Sequence, residues 1–395
     1  MPLVHMGDML RHAYEHRYAV AAFDVVSLDF ISGIIAAAEE KQAPVIISLA
    51  ESPFEYFNFE LLMSAVVQAA RGTSVPVAIH LDHGQSMESA INGINQGCTG
   101  VMVDASNLPL KDNTRQTKAI VEVAHACGIP VEGELGYVPG VEGEDAERHP
   151  GEVAYTSAAE AKAYVDATGV DFLAVSIGTV HGRMKGEPKL DFNRLAEINL
   201  AIQIPLVIHG GTGLSNDQFR QLIENGVTKI NYYTALADAA GHCIHDNAQT
   251  LGTAGYTALV KGVTEAIRKE AARCIEIWGS AGKSRELLAS CRPWKPVAHV
   301  IVYNTEGLDA EGLEDMMAEG RRVLSTIPGV TEVFTGHAVQ EDAGYRHCWV
   351  VRFTDRSVID SYRDHPDHQR FANNRFRPYA GSRISIDYVD SSSGK

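Results

Sequence analysis

The sequence lacks an excess of basic residues, and it lacks any long apolar run. Its 34 Lys and Arg are outnumbered by 50 Asp and Glu, which gives a formal net charge of −16. This charge argues against nucleic acid and against an anionic membrane surface as partners. No apolar stretch reaches membrane-spanning length, and the N-terminus has no signal-peptide pattern. A phosphorylated ligand stays compatible, because backbone N–H groups at helix starts bind anions locally.

Cysteine is also sparse, and its spacing excludes the common zinc and redox motifs. The six cysteines are scattered along the chain and form no Cys-x-x-Cys pair. Such a distribution is typical of buried thiols in a reducing compartment. Together with the missing signal peptide, it predicts a soluble, cytoplasmic protein.

What the chain does contain, up to residue 283, is a regular alternation of apolar runs and amphipathic stretches. Eight β-rich runs can be counted: Tyr18–Val25, Pro44–Ala50, Pro76–His83, Gly100–Ser106, Pro130–Gly136, Asp171–Gly178, Ile204–Gly211 and Thr228–Thr234. Near-continuous apolar strands separated by helices indicate a parallel sheet covered on both faces. Eight repeats in this length favour a (β/α)8 TIM barrel over an open sheet.

The rest of the chain has a different organisation. The segment 284–296 interrupts the pattern and carries two prolines, so we expect a linker there. Residues 297–395 follow the order β-α-β-β-α-β, which is typical of a ferredoxin-like α+β domain. The predicted domains are therefore a barrel over 1–283 and an α+β domain over 297–395.

Three of the 16 histidines are followed by glycine, and each comes at the end of a predicted barrel strand: His83, His181 and His209. Barrel enzymes carry their chemistry at the carboxyl ends of the strands, so we expect the three imidazoles on one rim. Three neutral imidazoles with an open fourth position describe a catalytic zinc site. The alternative is that they are core or capping histidines.

Carboxylates are predicted on the same rim. Asp82 should point away from its neighbour His83, so we expect a proton donor and acceptor near the metal instead of a further ligand. Its alternative role is to cap the helix that begins near Ser86. Asp104 and Glu134 end the fourth and fifth strands, where they could orient ligands or hold a second cation, or else bind the neighbouring loops.

Two loops complete the predicted rim. The run from His209 to Gly213 (His-Gly-Gly-Thr-Gly) precedes a helix and offers successive N–H groups as a phosphate cradle, which Asn231 of the last strand would also reach. The loop 137–150 is long, acidic and glycine-rich. It is either a mobile lid, with Glu142 and His149 as candidate participants, or a surface excursion.

The sequences around these residues resemble the class II, zinc-dependent ketose-bisphosphate aldolases, close to the tagatose- and fructose-bisphosphate aldolases. The resemblance covers residues 1 to about 283. It rests on Leu-Asp-His83-Gly, Val-Ser-Ile-Gly-Thr-Val-His181-Gly, His209-Gly-Gly-Thr-Gly and Lys-Ile-Asn231-x-x-Thr234. It implies reversible cleavage of a ketose mono- or bisphosphate to dihydroxyacetone phosphate and an aldehyde, through a metal-stabilised enediolate.

The same resemblance implies roles for individual residues. His83, His181 and His209 would bind the catalytic Zn²⁺, and Asp82 would be the general acid/base. Asp104 and Glu134 match the positions of an accessory cation, either a second divalent ion or a monovalent one. The phosphate of dihydroxyacetone phosphate would be held by Gly182, Gly210, Gly211, Thr212, Asn231 and Thr234.

The chain departs from this family pattern in two places. The last strand carries Tyr232 and Tyr233 where smaller residues are usual, and Ala235 where an acid is common. No cation precedes the final barrel helix, although a second phosphate would need one, and the candidates are Lys261, Lys283 and Arg285. The aldehyde half is therefore left open. A zinc hydrolase and a catalytically weakened scaffold paralogue are the alternative functions.

The C-terminal segment resembles the stress-responsive dimeric α/β-barrel (Dabb) domains. The similarity lies in Val-Ala-His-Val-Ile-Val-Tyr-Asn at its start, Ile-Pro-Gly-Val330, His-Pro-Asp-His-Gln-Arg-Phe371 and Arg-Ile-Ser-Ile-Asp-Tyr-Val at its end. Such domains pair through their sheets. The resemblance therefore implies a homo-oligomer, either a dimer or a tetramer.

Overall fold

The computed structural model describes residues 2–51, 58–140, 145–146, 155–184, 189–252 and 255–389. The lid candidates Glu142 and His149 lie outside the described residues. The chain forms two compact units. One comprises Met1–Ala90, Cys98–Val121 and Pro130–Pro293, and the other comprises Ile91–Gly97, Glu122–Ile129 and Trp294–Lys395.

The described residues of the first unit form ten strands: β1 Val20–Asp24, β2 Val45–Ala50, β3 Val77–Gly84, β4 Gly100–Val103, β5 Val131–Leu135, β6 Asp145–Ala146, β7 Phe172–Val175, β8 Arg183–Met184, β9 Leu206–Ile208 and β10 Val227–Tyr232. Eight of them close a parallel barrel in the order β1-β10-β9-β7-β5-β4-β3-β2, while β6 pairs with β8. Each of the eight predicted runs overlaps one barrel strand, so the TIM-barrel prediction is confirmed.

Helices surround this barrel: α1 Met6–His16, α2 Leu28–Lys41, α3 Phe59–Gly72, α4 Met87–Gln96, α5 Leu110–Ala126, α6 Ala158–Thr168, α7 Phe192–Ile202, α8 Asn216–Glu224, α9 Thr234–Leu251, α10 Tyr256–Leu259, α11 Val263–Ile277 and α12 Ser284–Ser290. The strands are almost entirely buried because helices cover their outer faces. None of the described helices has the length and apolar character needed to cross a bilayer.

Helix α1 closes the amino-terminal end of the barrel. Its Met6, Met9 and Leu10 are fully buried and share one apolar cluster with residues of the barrel strands such as Val20 and Ala78. Apolar side chains therefore fill the barrel interior at this end.

The segment 284–296, expected to be a linker, contains helix α12. Leu287 of α12 is completely buried and belongs to the same apolar cluster as α1, together with Cys291. The two prolines of the segment come after this helix, at positions that do not interrupt it.

The second unit is a four-stranded antiparallel sheet with helices on one side. Its elements are β11 Val297–Thr305, α13 Ala310–Leu324, β12 Val330–His337, β13 His347–Phe353, α14 Val358–Asp364, α15 Pro366–Phe371, a π-helical turn Ala372–Phe376 and β14 Ala380–Val389. The strand order β12-β13-β11-β14 gives the predicted ferredoxin-like α+β architecture. Helices α14 and α15 are separated at Pro366, because His365 before it adopts extended backbone.

One face of this sheet is apolar and exposed. Ile384, Ile386 and Tyr388 alternate along β14 and are 44%, 45% and 52% exposed, while Phe334 of β12 is 51% exposed. Val300 of β11 lies opposite Ile386 in the register and therefore shares this face. Large apolar side chains clustered on a sheet face mark an interaction surface.

Candidate active site

The three histidines predicted from their His-Gly pairs come together at the carboxyl ends of the barrel strands. His83 lies in β3, His181 follows β7 and His209 follows β9. Their ring centroids are 4.6 Å (His83–His209), 5.1 Å (His83–His181) and 5.7 Å (His181–His209) apart. One nitrogen of each lies within 4.8 Å of the other two, which is close enough for a shared metal ion.

Hydrogen bonds define which nitrogens face that ion. His181 Nδ1 lies 3.2 Å from the Val138 carbonyl, His83 Nδ1 lies 2.7 Å from Asp104 Oδ2, and His209 Nε2 lies 3.0 Å from Glu132 Oε1. Carbonyl and carboxylate oxygens accept, so these ring nitrogens carry the protons. His83 Nε2, His181 Nε2 and His209 Nδ1 are the nitrogens that could bind a metal ion, and each ring is oriented by the hydrogen bond on its opposite nitrogen.

The electrostatics of the cluster favour a cation. Burial lowers the pKa of His181 to about 3 and also lowers that of His209, so both rings are neutral and can donate lone pairs. Burial opposes the charged form of His83, but the charge of Asp82 and the hydrogen bond that His83 donates to Asp104 outweigh it and raise the pKa of His83 to about 10. The carboxylates that favour a proton on His83 would equally favour a metal ion there.

Asp82 lies against this cluster and is almost completely buried. Asn231 Nδ2 donates to both of its carboxylate oxygens, at 2.8 and 2.9 Å, and Lys229 Nζ lies 3.8 Å from Oδ1. Burial alone would raise the pKa of Asp82, but His83 and Lys229 outweigh it and hold the pKa well below its ordinary value. Asp82 is thus a carboxylate placed 3.7 Å from His83 Nε2.

The expectation that Asp82 points away from His83 is wrong. Side chains alternate along a regular strand, but the backbone of His83 is left-handed, with φ 49°, and β3 shifts register against β4 at this point. Both side chains therefore reach the same site. The capping alternative also fails, since Ser86 Oγ accepts from Ser89 N at the start of α4.

A buried ionic layer that the sequence analysis missed lies next to the histidines. Glu132 Oε2 is 2.8 Å from Lys229 Nζ and 3.7 Å from His80 Nε2, and all three side chains are fully inaccessible. Glu132 also bonds His209 and so orients it. Strand alternation carried this signal, because His80 precedes Asp82 by two residues, Glu132 precedes Glu134, and Lys229 precedes Asn231.

Asp104 and Glu134 join His83 in a second group of donor atoms within 4.8 Å of one another. Asp104 Oδ1 accepts from the Ser106 backbone and hydroxyl at 3.1 and 2.7 Å, so it also ties down its own loop. Burial and the charge of Asp104 raise the pKa of Glu134 to about 8. This group could hold an accessory cation.

The residues expected around the phosphate lie on the same rim. Gly210, Gly211 and Thr212 follow β9, and Gly182 follows His181. Thr234 is the first residue of the 18-residue helix α9, and Thr212 Oγ1 accepts from the next N–H of that helix, at Ala235, at 3.3 Å. The start of a long helix attracts anions. Asn231 differs from the expectation in that its amide binds Asp82.

The unusual tyrosines of the last strand are structural. Tyr232 packs against Trp278 in the helical layer and donates to Glu270 Oε1 at 2.8 Å, while Tyr233 stacks on Phe30. Neither therefore alters the rim.

The candidate cations for a second phosphate lie away from the rim. Lys283 Nζ is 5.8 Å from the ring centroid of Tyr18, which precedes β1 at the amino end of the barrel, and Arg285 follows in α12. The Lys261 carbonyl accepts from Asn247, about 20 Å along α9 from its first residue. Arg183 is a further cation, which the sequence did not indicate. It directly follows Gly182, and its Nε donates to Asp238 Oδ2 of α9 at 2.8 Å.

Comparison with known proteins agrees with this geometry. The family model of class-II fructose-bisphosphate aldolase matches residues 4–283, and that of the stress responsive A/B barrel domain matches residues 297–390. The fructose-bisphosphate aldolase of Geobacillus stearothermophilus is 43% identical over 237 residues, 59% of this chain and 82% of the relative. That of Staphylococcus aureus strain Mu50 is 39% identical over 249 residues, 62% of this chain and 86% of the relative.

Solved structures give the same result. The YdjI aldolase of Escherichia coli K12 is 35% identical with a TM-score of 0.64, covering 71% of this chain and 99% of its own. A putative fructose-1,6-biphosphate aldolase of Coccidioides immitis is 32% identical with a TM-score of 0.65, covering 70% and 97%. The chain therefore belongs to the class-II fructose-bisphosphate aldolase family, and its barrel is followed by a stress-responsive A/B barrel (Dabb) domain.

Proposed function

We propose that the barrel domain, residues 1–283, is a zinc-dependent aldolase that reversibly cleaves a ketose phosphate to dihydroxyacetone phosphate and an aldehyde. The observation that carries this proposal is the convergence of three imidazoles beside a carboxylate that is not needed as a ligand. Three nitrogen donors suit Zn²⁺, which keeps an open position for substrate in catalytic sites. When bound, the ion would supply the charge that polarises the substrate carbonyl and stabilises negative charge on the three-carbon half.

Asp82 moves the proton in this scheme. In cleavage it takes the proton of the C4 hydroxyl, and in condensation it returns that proton to the aldehyde oxygen. Its hydrogen bonds from Asn231 hold the carboxylate in one orientation. Because His83, Lys229 and His209 lower the pKa of Asp82, the side chain is an ionised carboxylate at neutral pH.

The phosphate of the three-carbon half is assigned to the start of α9. Gly182, Gly210 and Gly211 would contribute N–H groups, and Thr212 and Thr234 would contribute hydroxyl groups. Asp104 and Glu134 would hold the accessory cation. Arg183 is our candidate for the distal end of the substrate, because it follows Gly182 directly and its side chain is 44% exposed.

A panel of ketose 1-phosphates and 1,6-bisphosphates of both C4 configurations tests the proposal on zinc-loaded protein. We expect release of dihydroxyacetone phosphate, its loss after chelation, and its recovery with Zn²⁺ or Co²⁺. Cleavage of bisphosphates alone would direct attention to Arg183, whereas cleavage of monophosphates would assign the distal pocket to an uncharged group. No release from zinc-bound protein would overturn the proposal and favour the hydrolase or the scaffold.

For residues 297–395 we propose homodimerisation through the apolar sheet face of Ile384, Ile386, Tyr388, Phe334 and Val300. Ile386→Arg places a charge in the middle of this face, so the oligomer mass measured by light scattering should fall by about half. Turnover per barrel should stay within about twofold of the native value, because the catalytic groups all lie in the other unit. Ser385→Arg, on the opposite face of the same strand, is the matched control. Equal oligomer masses for the two variants would show that this surface is not the dimer interface.

A further inference from the structure

A second group of metal ligands lies at the closed end of the barrel, remote from the three catalytic histidines. His12 and His16 are four residues apart on α1 and therefore share one face of the helix. Their rings stack with centroids 4.0 Å apart, and Glu286 of α12 reaches the same point. One donor atom of each residue lies within 4.8 Å of the other two.

Both imidazoles present Nε2 to this point. His16 Nδ1 lies 2.9 Å from the His12 carbonyl, which can only accept, so the proton of a neutral His16 is on Nδ1 and its Nε2 carries a lone pair. His12 Nδ1 forms a hydrogen bond of 2.9 Å with the neutral hydroxyl group of Tyr18. The rings are thus oriented through Nδ1, as ligand histidines usually are.

The buried ring of His12 is independent evidence that something binds at this point. Its side chain is only 7% exposed, and Nε2 makes no hydrogen bond although it is buried. A buried nitrogen without a hydrogen bond lowers the stability of the folded protein unless another group or an ion binds it.

The separations of the donors match a coordination polyhedron better than a hydrogen bond. Glu286 Oε1 is 3.4 Å from His12 Nε2 and 3.3 Å from His16 Nε2, beyond the usual hydrogen-bond range. Donors about 2.0–2.1 Å from a tetrahedral zinc ion are about 3.4 Å apart, so a small adjustment of the side chains would seat the ion.

We propose that His12, His16 and Glu286 form a second transition-metal site, which takes Zn²⁺ or a similar borderline ion and fastens α12 to α1. Two histidines and one glutamate are a known zinc donor set, and the exposed side of His16 and Glu286, which are 40% and 48% exposed, leaves room for water as a further ligand. Lys283, 3.5 Å from Glu286 Oε2, occupies the other carboxylate oxygen and weakens the site without blocking it. This inference does not depend on the proposed reaction.

The proposal is tested by measuring the number of metal ions bound per full-length chain. Metal-free native protein, His16→Gln, Glu286→Gln and the control His245→Gln, which removes an exposed histidine of α9, are equilibrated with Zn²⁺ or Co²⁺ and analysed for bound metal. We expect about one equivalent less in His16→Gln and Glu286→Gln than in the native chain and the control. The zinc-induced rise in Tm should shrink in the same two variants.

The remaining equivalent at His83, His181 and His209, with unchanged turnover, checks that both variants are folded. Equal metal content and equal Tm shifts in all four proteins would overturn the proposal and reduce the cluster to an ion pair. Because only differences between variants are compared, a failure here is distinguishable from loss of metal at the catalytic histidines.

Discussion

Asp82→Asn is expected to lower turnover by about 10²–10⁴-fold, the range typical of a lost general acid/base. The substitution removes the proton acceptor but none of the three ligand nitrogens, and the new amide oxygen can still accept from Asn231 Nδ2. Bound zinc should therefore stay at the native level. Steady-state cleavage rates and metal analysis of the same preparation measure the two quantities separately.

The control for this experiment is Asp217→Asn, the same chemical change at an exposed carboxylate of α8 that pairs with Arg220. It should leave both rate and metal content unaltered. If Asp82→Asn loses its zinc, Asp82 supports the ligands instead of moving protons. If its rate is native, the barrel does not use this carboxylate, and the scaffold alternative gains support.

Glu132→Leu is expected to cost about 3–5 kcal/mol of unfolding free energy, because it leaves Lys229 charged in a fully buried position without its partner at 2.8 Å. His209 also loses the acceptor that orients its ring, so zinc affinity should fall about 10–100-fold. Denaturant unfolding of the metal-free protein isolates the first effect, and competition with a chelator measures the second.

The double variant Glu132→Leu with Lys229→Met separates charge from packing. If the cost arises from the loss of the ion pair between Glu132 and Lys229, the second substitution should recover most of the lost stability but none of the zinc affinity. Additive losses would instead indicate that shape within the barrel is what matters at both positions.

The free energy of unfolding of the native protein should depend on pH through the same ion pair. Burial opposes the Glu132 carboxylate, but Lys229 and His209 outweigh it and lower its pKa to about 2. A depressed pKa contributes stability that is present above the ordinary carboxyl pKa and is lost as the pH falls through the folded value.

The barrel, its rim and its three histidines could be predicted because the information is local. Each strand is an apolar run, and each histidine stands at a strand end before a glycine. Helix α12 was missed because the two prolines of 284–296 favour a linker, although both follow the helix and Leu287 lies on its buried face. The direction of Asp82 was missed because a left-handed residue, His83, cancels the strand alternation, and no residue type in the pattern signals that.

The buried layer shows a different limit. His80, Glu132 and Lys229 lie on three strands, and their pairing becomes visible only when the barrel closes. Alternation could have placed each of them inside, but not opposite one another. The sequence also could not predict which nitrogen of each histidine is available to a metal ion, because this depends on hydrogen-bond partners such as the Val138 carbonyl.

The segment of His181 lies between two glycines that come from other loops. A side chain at Gly210 would collide with the Val180 carbonyl, and one at Gly140 would collide with the His181 carbonyl; both glycines also have positive φ, 74° and 107°. The constraint is steric and does not depend on the substrate. Positions 140 and 210 should therefore stay glycine as relatives diverge in substrate, while the loops around them accumulate change.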